Sequence, residues 1–411
     1  MKITKLETLR LEEFPNLLWL RVHSDEGIIG LGETHRAAPS VEAYVHEYIA
    51  PRVLGQDPLE VERLSRSLVG YLGFRGSGVE TRAISAFDIA LWDHYARVVN
   101  QPLYQVLGGA SRAAIRTYNT CAGYGYIRDT RGQTSANWGL GGKPAGPYED
   151  LDAFLHRADE LAQSLLEQDI GAMKIWPFDT YAEANEGMHI SGAELDAALE
   201  PFRKIRKAVG KRMDIMVEFH SLWRLPPAQR IAQALAEFDT YWHEDPIRMD
   251  SLALLKAYAP CSKAPICGSE ILAGRWSFKD LLETGVAGIV MFDLAWCGGI
   301  SEARRIAALA DAWQLPVAPH DCTGPVVFLA SLHFSIYAPN ALVQESVRAF
   351  YTGWYQELVT HVPQPERGMF ARPPGPGLGA QLLPELWKRR DASVRASSLS
   401  GNYCRAPRAP R

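Results

Sequence analysis

Three apolar segments of the chain each end in a glutamate, and these glutamates recur at equal intervals. The segments end at Glu218, Glu244 and Glu270, so 26 residues separate each glutamate from the next. This interval is the length of a strand plus a helix, which predicts three carboxylates at one height on successive barrel strands. Converging carboxylates repel each other in a cleft of low dielectric, and a hard divalent cation removes that repulsion. Oxygen-only ligands favour Mg²⁺, so the sequence predicts a magnesium site.

Two residues further along the chain could remove a proton beside that site. Asp293 and His320 end the next two apolar segments, 23 and 27 residues beyond the preceding member of the series. A proton next to a carboxylate is so weakly acidic that its removal requires positive charge, which a metal supplies. A carboxylate bonded to one imidazole nitrogen fixes the tautomer and raises the basicity of the other. The pattern predicts a base at His320 oriented by Asp293; a core histidine held by backbone carbonyls is the alternative.

A repeating framework must position these residues. From about residue 115 the chain alternates short apolar strands with amphipathic helices. Eight such units make a (β/α)₈ barrel, in which catalytic residues lie at the C-terminal strand ends. The predicted strands end near Asn119, Trp176, Glu218, Glu244, Glu270, Asp293, His320 and Glu345. We therefore expect an α/β fold of the TIM-barrel type.

The remaining segments predict additions to the barrel. Residues 1–112 combine β-like runs with helical patterns, which indicates an N-terminal α+β capping domain. The barrel is expected over 113–360, with a long loop over its mouth at 121–147 and an insertion at 179–191. Residues 361–411 are expected to return to the cap and to end in a basic tail without a core pattern.

Composition and charge exclude several classes of function. The 411 residues are 47% hydrophobic and 22% charged, which is ordinary for a soluble globular protein. A formal net charge of −4 provides no general attraction to nucleic acid or to an anionic membrane. No apolar stretch approaches the length needed to span a bilayer. The 6 cysteines show no metal-type or redox-type pairing, so we expect a reduced, cytoplasmic setting.

Four short motifs resemble a known family. They are Glu244-Asp245-Pro246, Gly268-Ser269-Glu270, the stretch from Asp293 to Gly299 that ends in Gly-Gly, and Pro319-His320. In this order and at these intervals they resemble the mandelate racemase-like branch of the enolase superfamily, over nearly the whole chain. The resemblance implies one Mg²⁺ per subunit, held by the three equally spaced glutamates. It also implies a small-molecule carboxylate as the substrate and a homo-oligomer as the assembly.

The resemblance also concerns the two faces of the substrate. The family pattern has a His-Asp pair on one face of the reacting carbon and a lysine on the other, where Lys174 stands. Members with a Lys-x-Lys pair usually deprotonate through the second lysine, and this chain has Trp176 there. This departure favours one-base chemistry from His320 over a two-base racemase. Lys174 is expected to act in catalysis or to contact substrate, with a counter-ion role as the alternative, and Trp176 could form a wall of the pocket.

Four further residues are expected to surround the substrate, His220 and Glu345 near the metal and two in the cap. His220 follows the first ligand by two residues, so a continuing strand would point both side chains to the same side. This motif resembles acid-sugar dehydratases of the galactonate type, in which the equivalent histidine protonates the departing 3-hydroxyl; bonding to a metal-binding carboxylate is the alternative. Glu345 resembles a glutamate that binds the substrate carboxylate in its protonated form, and burial would raise its pKa accordingly. His35 and Arg36 of the cap are expected to contact the distal end of the substrate.

The leading interpretation is a Mg²⁺-dependent dehydratase of a sugar acid, either an aldonate or an aldarate. His320 would remove the C2 proton, and His220 or protonated His320 would help to expel the 3-hydroxyl as water. The alternative on the same scaffold is a racemase, epimerase or cycloisomerase of a 2-hydroxy acid or sugar lactone. A barrel kept as a non-catalytic binding module is a third possibility, which the full set of ligands and bases disfavours.

Overall fold

The structure, a computed structural model, consists of a cap and a barrel. It describes residues 1–69, 76–126, 128, 130–141, 146–399 and 404–405. Parts of the loop expected at 121–147, and most of the basic tail, lie outside the described residues. Among the described helices, none is long and apolar enough to cross a membrane.

The cap is built on an antiparallel sheet. Its strands are β1 (Ile3–Leu11), β2 (Leu17–Ser24), β3 (Ile29–His35), β13 (Ala392–Ser398) and β14 (Cys404–Arg405). The spatial order is β14-β13-β1-β2-β3, so strands from both ends of the chain share one sheet. Neither β1 nor β13, which overlaps the start of the basic tail, was predicted as a strand from the sequence. Short strands of mixed polarity become recognisable only beside their partner strand.

Five described helices complete the cap, and the longest of them packs on β2 and β3. They are α1 (Ala38–Tyr44), α2 (Ala50–Val53), α3 (Val61–Ser67), α4 (Val79–Val98) and α5 (Leu103–Leu107), with a π-helical turn (Val45–Ile49) between α1 and α2. The longest, α4, buries the small residues Ala83, Ala86 and Ala90. Small side chains on this face allow the helix to pack closely on the sheet.

Eight parallel strands form the barrel. They are β4 (Ala114–Thr120), β5 (Ala172–Ile175), β6 (Asp214–Glu218), β7 (Trp242–Glu244), β8 (Ile266–Gly268), β9 (Ala287–Asp293), β10 (Val317–His320) and β11 (Gln344–Ser346). Neighbours in the chain are neighbours in the sheet, and β11 pairs with β4. A parallel bridge between Val317 and Ala341 joins β10 to the approach of β11. The predicted fold class is confirmed, and each strand ends within two residues of the predicted position.

Helices connect the barrel strands along its outside. They are α6 (Asp150–His156), α7 (Ala158–Leu166), α8 (Asp179–Asn185), α9 (Gly192–Val209), α10 (Leu225–Leu235), α11 (Leu255–Tyr258), α12 (Gly274–Leu282), α13 (Gly299–Ala312), α14 (Pro325–Tyr337) and α15 (Arg348–Tyr351). The segment predicted as an insertion contains α8. A short strand, β12 (Met369–Ala371), pairs antiparallel with β4.

Large apolar side chains fill the barrel below the site. Tyr118, Met216 and Trp242 are fully buried there, and the rings of Tyr118 and Trp242 meet edge to face with centroids 5.3 Å apart. Inward-pointing side chains close the interior of such barrels, so the strand ends form the floor of the site.

Candidate active site and metal centre

The C-terminal strand ends bring the predicted acids and bases to one mouth of the barrel. Glu218 pairs with Glu244 across β6 and β7, and Asp293 pairs with His320 across β9 and β10. Glu270 lies two residues beyond the end of β8. Because all eight strands run in the same direction, residues far apart in the chain converge at this face.

Three buried carboxylates form the centre of the site. One oxygen from each of Glu218, Glu244 and Glu270 lies within 4.8 Å of the others. The backbone N–H groups of Phe219 and His220 donate to Glu218 Oε1 at 3.0 and 2.7 Å and hold that side chain in place. Burial raises the pKa of Glu218 to about 7 and that of Glu244 well above its ordinary value. Buried oxygen donors at this spacing fit a hard divalent cation, so the three residues could hold a metal.

Lys174 lies among these carboxylates. Its Nζ is 2.7 Å from Glu244 Oε1, 3.0 Å from Glu345 Oε1 and 3.2 Å from Glu218 Oε2. Burial would lower the pKa of this lysine, but the surrounding carboxylates raise it well above its ordinary value. The counter-ion alternative therefore describes the observed contacts of Lys174. Its contact with substrate stays a prediction.

His320 stands between Asp293 and Glu270. Its Nδ1 donates to Asp293 Oδ2 at 2.7 Å, and its Nε2 is 2.7 Å from Glu270 Oε2. Asp293 Oδ1 accepts from the Ala295 N–H at 2.6 Å, which fixes the carboxylate. Burial would lower the pKa of His320, but Glu270, Glu345 and the bond to Asp293 raise it well above its ordinary value. The structure therefore contains the expected His-Asp pair and not a histidine held by backbone carbonyls.

Glu345 contradicts one expectation. The sequence analysis predicts a raised pKa from burial, whereas the pKa of Glu345 is lowered in the structure. Burial alone would raise this pKa, but the positive charges of Lys174 and His320 and two hydrogen bonds lower it by more. These come from the Thr120 hydroxyl and, at 2.9 Å, from the Asp321 N–H. Glu345 is therefore an ionised acceptor here, and the protonated form expected from the resemblance is not the one that these contacts stabilise.

His220 belongs to a second His-Asp pair. Its Nδ1 donates to Asp179 Oδ2 at 2.6 Å, and this carboxylate is 3% exposed. Burial would lower the pKa of His220, but Asp179 raises it above its ordinary value. Within the described part of the chain, the ring makes no hydrogen bond to Glu218, Glu244 or Glu270, so the alternative of a ligand-orienting ring is not supported.

The backbone at His220 differs from the one assumed in the sequence analysis. The strand ends at Glu218, and His220 has a φ of 49°, in the left-handed region. The alternation of side chains along a strand therefore does not apply. A left-handed conformation at a non-glycine residue costs about 1–3 kcal/mol, and such residues cluster at functional sites. The turn directs its backbone N–H to Glu218 and its ring to Asp179.

A small cavity connects the two pairs. Its walls include Lys174, Trp176, His220, Glu270 and His320 from the barrel, and His35 and Arg36 from the cap. Its volume of about 20 Å³ has room for roughly one water molecule. His35 Nδ1 and Trp176 Nε1 are buried without a hydrogen-bond partner among the described residues, so both remain available to a ligand. Arg36 donates to Gln133 of the long loop.

Asp179, Thr120 and Trp296 were not predicted as site residues from the sequence. The first two stand near the ends of β5 and β4, and this position is the one signal that could have identified them. Trp296 lies against His320 with ring centroids 5.4 Å apart, and its Nε1 donates to the His35 carbonyl at 3.3 Å. Its role depends on the path of the loop after β9, which a local pattern does not predict.

Family models match both parts of the chain. Residues 157–386 match the family described as enolase C-terminal domain-like. Residues 13–108 match the N-terminal domain of mandelate racemase and muconate lactonizing enzyme. These two segments contain the barrel strands that carry the predicted ligands and the cap that closes over them.

Named relatives and solved structures resemble the chain over nearly its whole length. It is 30% identical over 399 residues to the D-galactonate dehydratase of Xanthomonas euvesicatoria, covering 95% of this chain and 94% of that protein. An enolase of the mandelate racemase subgroup from Agrobacterium tumefaciens is 57% identical, with a TM-score of 0.86 over 97% of this chain and 99% of that chain. An enolase protein from Sargasso Sea environmental sequencing is 43% identical, with a TM-score of 0.86 over 97% and 99%. The fold, the buried glutamate cluster and these matches show that the chain belongs to the enolase superfamily, with mandelate racemase-like domains.

Proposed function

We propose that the protein is a magnesium-dependent hydro-lyase that removes water from a sugar acid, an aldonate or aldarate. One observation carries the proposal: two histidines, each held by a buried carboxylate, line one cavity together with Glu270, a member of the three-glutamate cluster. His320 and Asp293 end β10 and β9, next to the ligand strand β8, whereas His220 follows the ligand strand β6 and Asp179 follows its neighbour β5. Elimination of water needs a base and an acid, and this arrangement supplies one of each. The name of the Xanthomonas relative agrees with this chemistry.

The first step is removal of the C2 proton. A magnesium ion held by Glu218, Glu244 and Glu270 would supply the positive charge that stabilises the carboxylate-bearing anion. His320 takes the proton at Nε2, and Asp293 holds the ring through Nδ1. Glu270 Oε2 lies 2.7 Å from that Nε2 and favours the protonated ring, so His320 would become a base once Glu270 serves as a ligand instead.

The second step is departure of the 3-hydroxyl. His220 bonds to Asp179 through Nδ1, so Nε2 is the nitrogen that can deliver a proton into the cavity. Asp179 raises the pKa of this ring and so favours the charged form that a general acid requires. The hydroxyl leaves as water, and the enol that remains tautomerises to a 2-keto-3-deoxy acid.

The polar groups around the cavity suit a polar substrate. The open polar atoms of His35 and Trp176, together with Arg36, provide contacts for hydroxyl groups or a distal carboxylate. We therefore propose a small-molecule carboxylate as the partner. We further propose one Mg²⁺ per subunit, a homo-oligomer and a cytoplasmic setting.

A racemase or epimerase on this scaffold would need a second base. Lys174 is the candidate, but three carboxylates surround its ammonium group and favour the charged form, which cannot accept a proton. Trp176 occupies the other position available for a lysine. These contacts favour elimination of water over racemisation or epimerisation.

A library experiment tests the proposal. The protein is incubated with Mg²⁺ and a panel of aldonates and aldarates in D₂O, and 2-keto-3-deoxy acids are assayed alongside C2 deuterium in the recovered substrate. We expect at least one acid sugar to yield a 2-keto-3-deoxy acid. Deuterium at C2 without loss of water would select the epimerase alternative. Turnover of a non-carbohydrate acid alone would contradict the proposal.

A further inference from the structure

Two buried carboxylates of the cap lie at the N-termini of two barrel helices. Asp88 of α4 accepts from the Ser301 N–H of α13 at 2.8 Å and from the Ser301 hydroxyl at 2.6 Å. Glu33 of β3 accepts from the Val327 N–H of α14 at 3.0 Å and from Trp19 Nε1 at 2.6 Å. Both acidic residues are fully buried. Each therefore satisfies a backbone donor that a helix N-terminus would otherwise leave without a partner.

The two barrel helices have no such group of their own. Glycine occupies both N-cap positions, Gly298 for α13 and Gly324 for α14, and neither helix has a side-chain cap from its own segment. A side chain on Gly299 would collide with Asp88, and one on Gly324 would collide with Glu33. Capping is favourable because it satisfies these donors. The cap domain supplies both capping groups across the domain boundary.

These helices directly follow the strands that carry the His320–Asp293 pair. Asp293 ends β9 and α13 begins at Gly299; His320 ends β10 and α14 begins at Pro325. The intervening turns are short, so a displacement of either helix start moves the preceding strand end.

The cap makes further hydrogen bonds to the turn between β9 and α13. The Ser85 hydroxyl accepts from the Gly298 N–H at 3.0 Å, and Thr34 Oγ1 donates to the Ala295 carbonyl at 3.1 Å. Ala295 is the residue whose N–H fixes the Asp293 carboxylate. A chain of hydrogen bonds therefore connects the cap to the Asp293 carboxylate through residues that do not line the cavity.

We propose that Glu33 and Asp88 are positioning residues that hold His320 and Asp293 at their working distance by capping α14 and α13 from the cap domain. The inference rests on the proposed function for the role of His320 as the base, but the positional claim can be measured without a substrate. The cap then contributes to proton abstraction through the barrel helices, separately from any contact with substrate.

Three variants on one helix test the inference. Asp88→Ala removes the capping group, and Asp88→Asn keeps an acceptor for the Ser301 N–H while its amide can donate to a serine hydroxyl. Asp93 is the matched control: it lies on α4, is equally buried, and bonds to Arg97, to the Leu31 N–H and to the Leu378 N–H, none of which belongs to α13 or α14. Asp93→Ala should cost stability without moving the pair.

In the folded enzyme we expect Asp88→Ala to lower kcat about 10- to 100-fold with little change in KM or in magnesium affinity, because small misplacements of catalytic groups cost that much. Asp88→Asn should restore kcat to within about threefold, and Asp93→Ala should keep wild-type kcat per folded molecule. An unchanged kcat in folded Asp88→Ala, or an equal loss in Asp93→Ala, would overturn the inference. Glu33→Ala repeats the test at α14 and replaces the first variant if that one does not fold.

A crystal structure of the folded variant separates this inference from the proposed function. We expect the 2.7 Å contact between His320 Nδ1 and Asp293 Oδ2 to lengthen or break in Asp88→Ala and to persist in Asp93→Ala. If wild-type protein turns over no acid sugar, the proposed function fails while this distance still decides the positional claim. If this distance and the position of the start of α13 are both unchanged in Asp88→Ala, the positional claim is contradicted.

Discussion

The two histidine–carboxylate pairs of this site have the same chemical groups but are held by different backbone elements. His320 and Asp293 end adjacent strands in register, whereas His220 follows its strand in a left-handed turn and Asp179 begins α8. The His320 side chain is 6% exposed and touches Glu270, while that of His220 is 17% exposed and bonds to Asp179. A base must meet a C–H bond at a defined place beside the cation, and rigid strand ends suit that task. An acid that delivers a proton to a leaving hydroxyl suits a more exposed turn.

Removing the rigidly held histidine should have the largest effect. His320→Asn keeps a hydrogen-bond donor for Asp293 but has no group that can take the C2 proton. We expect both C2 deuterium exchange and elimination to fall by about 10⁴-fold, measured by NMR and by release of the keto acid. A loss below about tenfold would assign the base to another residue.

Removing the histidine of the turn should separate the two steps. His220→Asn should lower elimination about 10²-fold, because the 3-hydroxyl would leave without its acid, while C2 deuterium exchange stays within about threefold of wild type. The same NMR time course reports both rates. A parallel fall in exchange would mean that His220 also takes part in removing the C2 proton.

A third histidine, His333, is buried without a carboxylate partner among the described residues and should respond to pH in the opposite direction. His333 is fully buried beside the Tyr104 N–H, which donates to its Nδ1 at 3.2 Å, and burial lowers its pKa to about 4. Since the unfolded chain takes up this proton near pH 6.5, stability should fall as the pH drops from about 6.5 toward 4. The loss between pH 7 and pH 5 is about 2 kcal/mol from this group. Urea unfolding at both pH values should show a smaller difference in His333→Asn, and an equal difference would exclude this residue as the cause.

The smallest effect is expected from the partner of the acid. Asp179→Asn keeps the hydrogen bond to His220 but removes the charge that raises the pKa of the ring. We expect the rate of elimination at neutral pH to fall about tenfold. Because the pKa of His220 is lower in this variant, the ring loses its proton, and the enzyme its activity, at a lower pH than in wild type. Asp293→Asn is the control on the other pair and should slow exchange as well. A pH profile of Asp179→Asn that superimposes on wild type would contradict the assigned acid.

Periodic features of the site could be predicted from the sequence. Equal spacing places Glu218, Glu244 and Glu270 at one level because a barrel repeats the same strand–helix unit, and the structure brings them within 4.8 Å. The His320–Asp293 contact follows from the same repeat. These residues are set by strand register, which the spacing of apolar segments reflects.

Features that depend on loops and on packing between domains could not be predicted. Asp179 reaches His220 through a turn whose backbone conformation has no local signal, and Glu33 and Asp88 act on helices more than 200 residues away. The direction of the pKa shift at Glu345 was wrong because burial was weighed without the neighbouring charge of Lys174. Opposing contributions of this kind depend on distances, which the sequence does not contain.

The central claim is that three glutamates jointly bind one divalent cation at the mouth of the barrel. Anomalous scattering from crystals soaked in Mn²⁺, a cation with the same preference for oxygen ligands, tests it most directly. We predict one strong peak in each subunit, about 2 Å from an oxygen of each of Glu218, Glu244 and Glu270, and its loss in Glu244→Gln. A peak at other residues, or none at the strand ends at saturating Mn²⁺, would contradict it.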